Sequence, residues 1–306
     1  MLGNHLTGIA KLDRDDIEHI LDLAEDMRVV LRHGGSKLLS GKVLATLFYE
    51  PSTRTRLSFE TAMLRLGGGV ISVADAKRTS SVWKGETLGD TIRTVHSYGD
   101  IIALRHPHPG AAEEATSYSE IPILNAGDGT NEHPTQALLD LLTIKEACGE
   151  LDGLSVILCG DLAHTRSTNS LSLGLSRYKV HLKLVSPPEL RSTDRIKDAI
   201  EAGPATYEEF DNVQDAMPGS DVLYITRIQK ERLEDPDAYD RLKGSYVVDR
   251  SIVELADRPI KVLHHLPRVG ELSEDVDDYS GALYFVQPFN GVLVRMALLA
   301  KYLGRD

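Results

Sequence analysis

Ser52-Thr53-Arg54-Thr55-Arg56 sets three hydroxyls and two guanidiniums in five consecutive residues, after the apolar run Val43–Tyr49 and ahead of a helical pattern near Arg56–Leu66. A helix N-terminus offers unsatisfied N–H donors and a partial positive charge, and arginine adds a planar fork of donors. That combination suits an oxyanion such as phosphate. One serine cap beside one surface arginine would explain an isolated Ser-x-x-Arg, but it does not explain this density. Other polar segments also follow apolar runs. Arg105 follows Asp100–Leu104, and His133-Pro134-Thr135-Gln136 opens a long helical stretch with proline at a first helical position. Arg166 ends a loop after Ser155–Cys159, and Arg227 and Gln229 follow Asp221–Thr226. Arginines so placed can take carboxylates bidentately. The polar segment Ala76–Glu86 is long for a connection from strand to helix, and loops of that length are often functional. It holds the only tryptophan, Trp83, for which a core role and a lid over the site are both open.

Strand and helix patterns alternate along the whole chain. Strands are expected at Val43–Tyr49, Val70–Val73, Asp100–Leu104 and Pro122–Leu124, then at Ser155–Cys159, His181–Val185, Asp221–Thr226, Tyr246–Val248 and Lys261–Leu263. Helices are expected from Asp13 to Gly34-Gly35, near Arg56–Leu66 and Glu86–Tyr98, and over Pro134–Cys148. Further helices are expected around Thr168–Arg177, Thr193–Glu201, Asp211–Met217 and Asn290–Leu303. The alternation implies an α/β chain of two domains, each with a mainly parallel sheet flanked by helices. The boundary is expected near residues 133–150, in a helix. In such sheets ligands gather at the carboxyl ends of strands, where the loops above lie.

The 306 residues suit about two domains. The formal charge, 34 − 46 = −12, speaks against a nucleic-acid reader or an anionic-membrane binder. No apolar run is long enough to span a bilayer, and the first residues, Met-Leu-Gly-Asn-His-Leu, lack the pattern of a secretory signal. Cys148 and Cys159 fit a reducing cytoplasm and make neither a zinc site nor a CxxC pair. His106, His108, His264 and His265 lack a coherent metal-ligand set. Gly35–Lys42 resembles a Walker loop superficially, but it precedes a strand and Val43 stands where Ser or Thr is required. No GxGxxG follows a strand, so a dinucleotide site has no direct support. Neither a metal nor an organic cofactor is expected.

Ser52-Thr53-Arg54-Thr55-Arg56 with Leu57-Ser58-Phe59-Glu60 resembles the carbamoyl-phosphate signature of the aspartate/ornithine transcarbamoylase family. The resemblance continues in order through Ser80…Lys84-Gly85-Glu86, Arg105-His106-Pro107, His133-Pro134-Thr135-Gln136, Gly160-Asp161-Leu162, Thr226-Arg227-Ile228-Gln229 and Leu266-Pro267-Arg268. It implies a carbamoyl-phosphate domain of residues 1–133 with a C-terminal helix, 290–306, packed back on it, and an aspartate domain of 134–289. The implied reaction is transfer of a carbamoyl group to the α-amine of L-aspartate, in pyrimidine biosynthesis. It also implies roles. Ser52, Thr53, Arg54 and Thr55 would hold phosphate, with Arg54 offsetting charge on the leaving oxygen. Thr55, Arg105 and His133 would face the carbonyl oxygen, and Gln136 and the Leu266 main chain the carbamoyl amino group. Ser80 and Lys84 would enter from the neighbouring subunit of a homotrimer with shared active sites, Lys84 touching both substrates. Arg166, Arg227, Gln229, Leu266 and Pro267 would bind aspartate. Glu50 and Arg232 would serve domain closure, Glu50 by pairing with Arg166 or Arg232. The resemblance implies a cis Leu266–Pro267 bond and leaves room for a separate zinc-binding regulatory chain.

The pattern departs from the aspartate branch at His265, where proline is usual and the ornithine branch has cysteine. Arg227 and Gln229 favour aspartate, and no Ser-Met-Gly segment of the ornithine branch is present. Ornithine carbamoyl transfer and a non-catalytic anion-binding paralogue are the competing readings.

Overall fold

The computed structural model describes residues 3–76, 81–233, 236–242 and 244–304. The chain divides into two compact units, Met1–Leu139 with Pro288–Asp306, and Asp140–Gln287. The helices are α1 Arg14–Arg32, α2 Thr53–Arg65, α3 Leu88–His96, α4 Ala111–Thr116, α5 Pro134–Cys148, α6 Arg166–Leu175, α7 Asp194–Glu201, α8 Val213–Ala216, α9 Pro236–Leu242, α10 Arg250–Val253 and α11 Gln287–Leu303. The division therefore falls a few residues inside α5. Among the described residues no helix is long and apolar enough to cross a membrane.

The first unit holds a parallel sheet of β1 Val43–Phe48, β2 Gly69–Ala74, β3 Ile101–His106 and β4 Ile123–Asp128, in the order β2-β1-β3-β4. The inner strands β1 and β3 are near-continuous apolar runs because both faces of the sheet are covered. The Asp13 carboxylate caps α1 by accepting from Asp16 N at 2.8 Å, and Ile17, Ile20, Leu21 and Ala24 bury its inner stripe. Gly34, at φ 87°, supplies the left-handed residue just beyond its end. The C-terminal helix α11 docks on this unit through buried Leu293, Val294 and Met296, and through Arg295. The Arg295 guanidinium donates to Thr135 Oγ1 at 3.0 Å and lies 5.0 Å from the centre of the Phe59 ring.

The second unit holds β5 Ser155–Cys159, β6 His181–Val185, β7 Thr206–Phe210, β8 Val222–Ile225 and β9 Lys261–His264, all parallel, in the order β7-β6-β5-β8-β9. Its core includes Ile157, Val185, Leu223, Ile225, Val262 and Tyr284. In each sheet the strand order reverses at one parallel pair, β1/β3 in the first and β5/β8 in the second. A crevice opens at such a switch point, beyond the carboxyl ends of the strands. The Ser52 loop follows β1 and Arg105 lies near the end of β3, while the Asp161 and Arg227 loops follow β5 and β8.

The run Tyr246–Val248 is not a strand. Tyr246 and Val248 are buried with Val247 exposed, the alternation that suggested one, but Val248 makes only an isolated bridge to Leu272. The edge strand β7 and the short helices α4, α9 and α10 lie outside the sequence expectations. The sequence of β7, Thr-Tyr-Glu-Glu-Phe, is charged because none of its residues is fully buried.

Candidate active site

At the end of β1 the chain turns through Tyr49–Ser52 into α2. Ser52 takes the N-cap position with extended backbone, yet its side chain makes no capping hydrogen bond. The first-turn N–H groups of α2 are thus left without the partner that a serine there ordinarily supplies. The two guanidiniums of the segment differ. Arg56 Nη1 lies 3.4 Å from Glu60 Oε1 and 3.2 Å from Ser72 Oγ, so it braces α2 against β2. Arg54 makes no hydrogen bond or ion pair with the described residues. It is exposed, and surrounding protein desolvates it enough to draw its pKa down, while it remains a cation.

Arg105 lies near the end of β3, and its carbonyl accepts from Tyr49 N at 2.9 Å, joining it to the turn that leads into α2. The register of β3 on β4 shifts there, since Leu104 faces Asn125 but His106 faces Asp128. Such a shift re-aims a side chain. Arg105 Nη1 donates to Ala126 O at 3.4 Å, and its Nε lies 3.5 Å from Glu50 Oε2. Beyond β4, buried Asp128 accepts from Gly110 N, Asn125 Nδ2, Asn131 Nδ2 and Glu132 N, which tightens the turn leading to α5. Glu132, also buried, accepts from Ile9 N at 2.6 Å. His133 comes next, 3% exposed, with Nε2 3.3 Å from Thr55 Oγ1. Two motifs far apart in sequence thus meet, and Gln136 stands half-buried one turn on. His106 is a different histidine. Burial, reinforced by neighbouring His108, lowers its pKa to about 4, so it is neutral at physiological pH.

Lys84 ends a short 3-10 turn, Ser81–Lys84, and is exposed, while Trp83 is 77% exposed, which removes its core reading. Ser80 lies outside the described residues.

In the second unit Gly160 follows β5 at φ +123°, and a Cβ there would sit 2.1 Å from Thr226 O. Only glycine lets the Asp161 loop run against the Arg227 loop. Fully buried Asp161 ties the two together. One oxygen accepts from His164 N at 3.0 Å and the other from Gln229 N at 3.2 Å. The Gln229 amide donates to Thr165 Oγ1 at 2.8 Å and to His164 O at 3.3 Å, and its oxygen accepts from Arg232 Nε at 3.2 Å. Arg166 opens α6 and is 9% exposed, and half-buried Arg227 has Nη1 3.5 Å from Ile228 O. A cavity of about 320 Å³ adjoins Arg227, lined also by Thr226, Tyr239, Tyr246, Gly270 and Glu271. Leu266 has φ +54°, and the Leu266–Pro267 bond is cis. Among the described residues no cluster of His, Cys, Asp or Glu could hold a metal ion.

Residues 4–146 match the carbamoyl-phosphate-binding domain of aspartate/ornithine carbamoyltransferases, and residues 152–302 match their Asp/Orn-binding domain. The chain belongs to the aspartate/ornithine carbamoyltransferase family. Among curated members, it is 50% identical to the aspartate carbamoyltransferase catalytic subunit of Thermococcus gammatolerans, over 99% of this chain and 98% of that one. Among solved members, the catalytic subunit of Methanocaldococcus jannaschii aspartate transcarbamoylase superposes with TM-score 0.90 at 49% identity, covering 98% of each chain. The Trypanosoma cruzi aspartate transcarbamoylase in complex with carbamoyl phosphate and aspartate superposes with TM-score 0.92 at 39% identity, covering 98% of this chain and 97% of that one.

The family motifs account for Arg54, Arg105, His133 and Arg227. They do not announce the carboxylates that hold the loops, Asp128, Glu132 and Glu271. Asp161 lies inside a quoted motif, Gly160-Asp161-Leu162, and its burial is what reveals it as a brace.

Proposed function

We propose that this chain is an aspartate carbamoyltransferase. It transfers the carbamoyl group of carbamoyl phosphate to the α-amine of L-aspartate, giving N-carbamoyl-L-aspartate and phosphate on the way to pyrimidines. The observation that carries this reading is the N-terminus of α2, which lacks a side-chain cap, with Arg54 unpaired among the described residues. A helix start left with donors and an uncommitted guanidinium suits a phosphate ligand.

The chemistry needs no protein nucleophile. The neutral amine attacks the carbonyl carbon, the carbonyl oxygen takes up negative charge, and phosphate departs with the electrons of the cleaved C–O bond. The protein contributes positioning and preorganised charge. Ser52, Thr53, Arg54 and Thr55 bind the phosphate, and Arg54 offsets charge on the departing oxygen. Thr55, Arg105 and His133 stabilise the carbonyl oxygen, a role supported by the Thr55–His133 contact. Gln136 and the Leu266 carbonyl hold the carbamoyl amino group. Arg166, Arg227, Gln229, Leu266 and Pro267 receive aspartate, and Gln229 does so by giving up a partner it holds now. Glu50 and Arg232 serve ligand-linked closure, in which Glu50 exchanges Arg105 and Arg232 exchanges Gln229.

Ser80 and Lys84 act in a neighbouring copy of the chain within a cytoplasmic homotrimer. Exposed Leu57, Leu64, Ile71 and Trp83, on α2, the edge strand β2 and the Lys84 turn, support an apolar contact on that side of the first unit.

The deciding experiment is carbamoyl transfer assayed with aspartate and ornithine in parallel, with sizing of the purified chain. Turnover of aspartate by a trimer is expected. Preference for ornithine, or phosphate binding without turnover of either amino acid, overturns the reading.

A further inference from the structure

The roles above use the Leu266 main chain but leave out two side chains next to it. His264, the last residue of β9, is fully buried, and its ring is held at both nitrogens. Nδ1 lies 2.8 Å from Leu266 N, and Nε2 lies 2.7 Å from Glu271 Oε1. A main-chain N–H can only donate, so Nδ1 accepts and carries no proton. The ring proton is therefore on Nε2 and is donated to the carboxylate. The other Glu271 oxygen accepts from Val269 N at 2.9 Å. Burial pushes the Glu271 pKa up, but the hydrogen bonds from His264 and the main chain outweigh it and hold the carboxyl below its ordinary value.

The surroundings fix this pair further. His264 N donates to Gln287 Oε1 at 2.9 Å, Gln287 Nε2 donates to Asp140 Oδ1 at 2.6 Å, and Tyr224 OH donates to Asp140 Oδ2 at 3.0 Å. The His265 ring lies nearly parallel to that of His264, at 15° and 5.4 Å between centroids, and to that of Tyr224, at 16° and 6.2 Å. Leu266 itself occupies the left-handed region at φ +54°. A residue with a branched side chain persists there only where its neighbours over-determine it, and such positions cluster where backbone groups do work.

We infer that His264 and Glu271 are positioning residues: the carboxylate fixes the imidazole tautomer, and the imidazole in turn grips the Leu266 N–H and aims the carbonyl of that residue. What the carbonyl is aimed at rests on the proposed function, whereas the tautomer and the grip rest on the geometry alone.

Two measurements test this. In the first, steady-state kinetics are recorded for His264→Ala, His264→Asn, His264→Gln and Glu271→Gln. Asparagine can present Oδ1 near the position of Nδ1, whereas the glutamine amide lies one carbon further out. The Ala and Gln variants are expected to lose about tenfold or more in kcat, with aspartate KM changed less than about threefold. The Asn variant is expected to return to within about threefold of wild type. If the Ala variant fails to fold, the comparison of Asn with Gln carries the test. Equal kcat for Asn and Gln, or Ala within threefold of wild type, overturns the inference.

The second measurement is a long-range 1H–15N spectrum of the histidines in the intact wild-type protein. His264 is expected to show an unprotonated Nδ1 and a protonated Nε2. A proton on Nδ1 overturns the inference whatever the activity. If the wild-type chain transfers nothing to aspartate, the functional reading fails by itself, and the nitrogen shifts still decide the tautomer.

Discussion

Replacing Arg54 with alanine separates leaving-group stabilisation from substrate binding. Arg54 sits in the first turn of α2, is exposed, and has no partner among the described residues. Its removal therefore leaves no buried group unsatisfied and should move Tm by no more than about 2 °C. The catalytic effect is larger. A guanidinium about 4 Å from an oxygen gaining one charge is worth about 4 kcal/mol at an effective dielectric of about 20. Loss of one preorganised donor in comparable sites lowers turnover about 10²- to 10³-fold. The exposure of Arg54 lets solvent screen part of that charge, so the lower end, about 100-fold or about 2.7 kcal/mol, is expected. The assay is formation of carbamoyl aspartate at saturating carbamoyl phosphate across a range of aspartate concentrations. Aspartate KM should change less than about threefold, because the proposed contact is with the departing group. Arg54→Lys should recover part of the rate, since a point charge replaces part of the fork. A kcat for Arg54→Ala within threefold of wild type, or an effect confined to aspartate KM, refutes the assignment.

Hybrid trimers assembled from Arg54→Ala and Lys84→Ala chains, each strongly impaired alone, should regain a larger fraction of wild-type activity, because some sites then receive neither lesion. Verified hybrids without activity would show that Lys84 acts within its own chain. Arg295→Ala removes a buried side chain from between Thr135 and Phe59, and should cost about 2–4 kcal/mol and lower the calorimetric Tm by about 5–10 °C. An unchanged Tm would contradict the docking of α11. The Arg268 guanidinium donates to both Asp277 oxygens, at 2.5 and 2.8 Å, and holds that carboxyl below its ordinary pKa. The stability from a depressed carboxyl is present above its unfolded value, about 3.9, and is lost as pH falls through the lower folded value. Wild type should therefore be more stable than Asp277→Asn at neutral pH, by no more than about 1 kcal/mol for so accessible a pair, and the gap should narrow as pH falls below about 3.9. A gap that persists in acid would refute the linkage.

Much of this site was legible because its chemistry is carried by residue type at predictable places. Hydroxyls and arginines just past apolar runs mark the ends of parallel strands, and β5 and β6 run over the residues expected of them. Residue type alone could not separate Arg54 from Arg56, and only the family resemblance singled out Arg54. The difference is that Glu60 and Ser72 engage only Arg56, and Ser72 lies on another strand. The carboxylate that braces the loop before His133 and the partner of His264 were hidden for a related reason. Glu132 is tied to Ile9, far off in sequence, and Glu271 reaches His264 across a turn with no periodic signature. At Tyr246–Val248 alternation was real but misleading, since burial of alternate residues does not require a neighbouring strand.

The first unit is assembled from both ends of the described chain, with Asp140–Gln287 inserted between them. On the ribosome the inserted unit emerges whole before Pro288–Asp306 does, and it can mature while the flanking unit still lacks its final helix. Until that helix arrives, Phe59 lacks Arg295 above its ring and Thr135 lacks its donor. The nascent anion-binding half is therefore completed last, so a truncated translation product would carry a finished amino-acid half and an unfinished phosphate half.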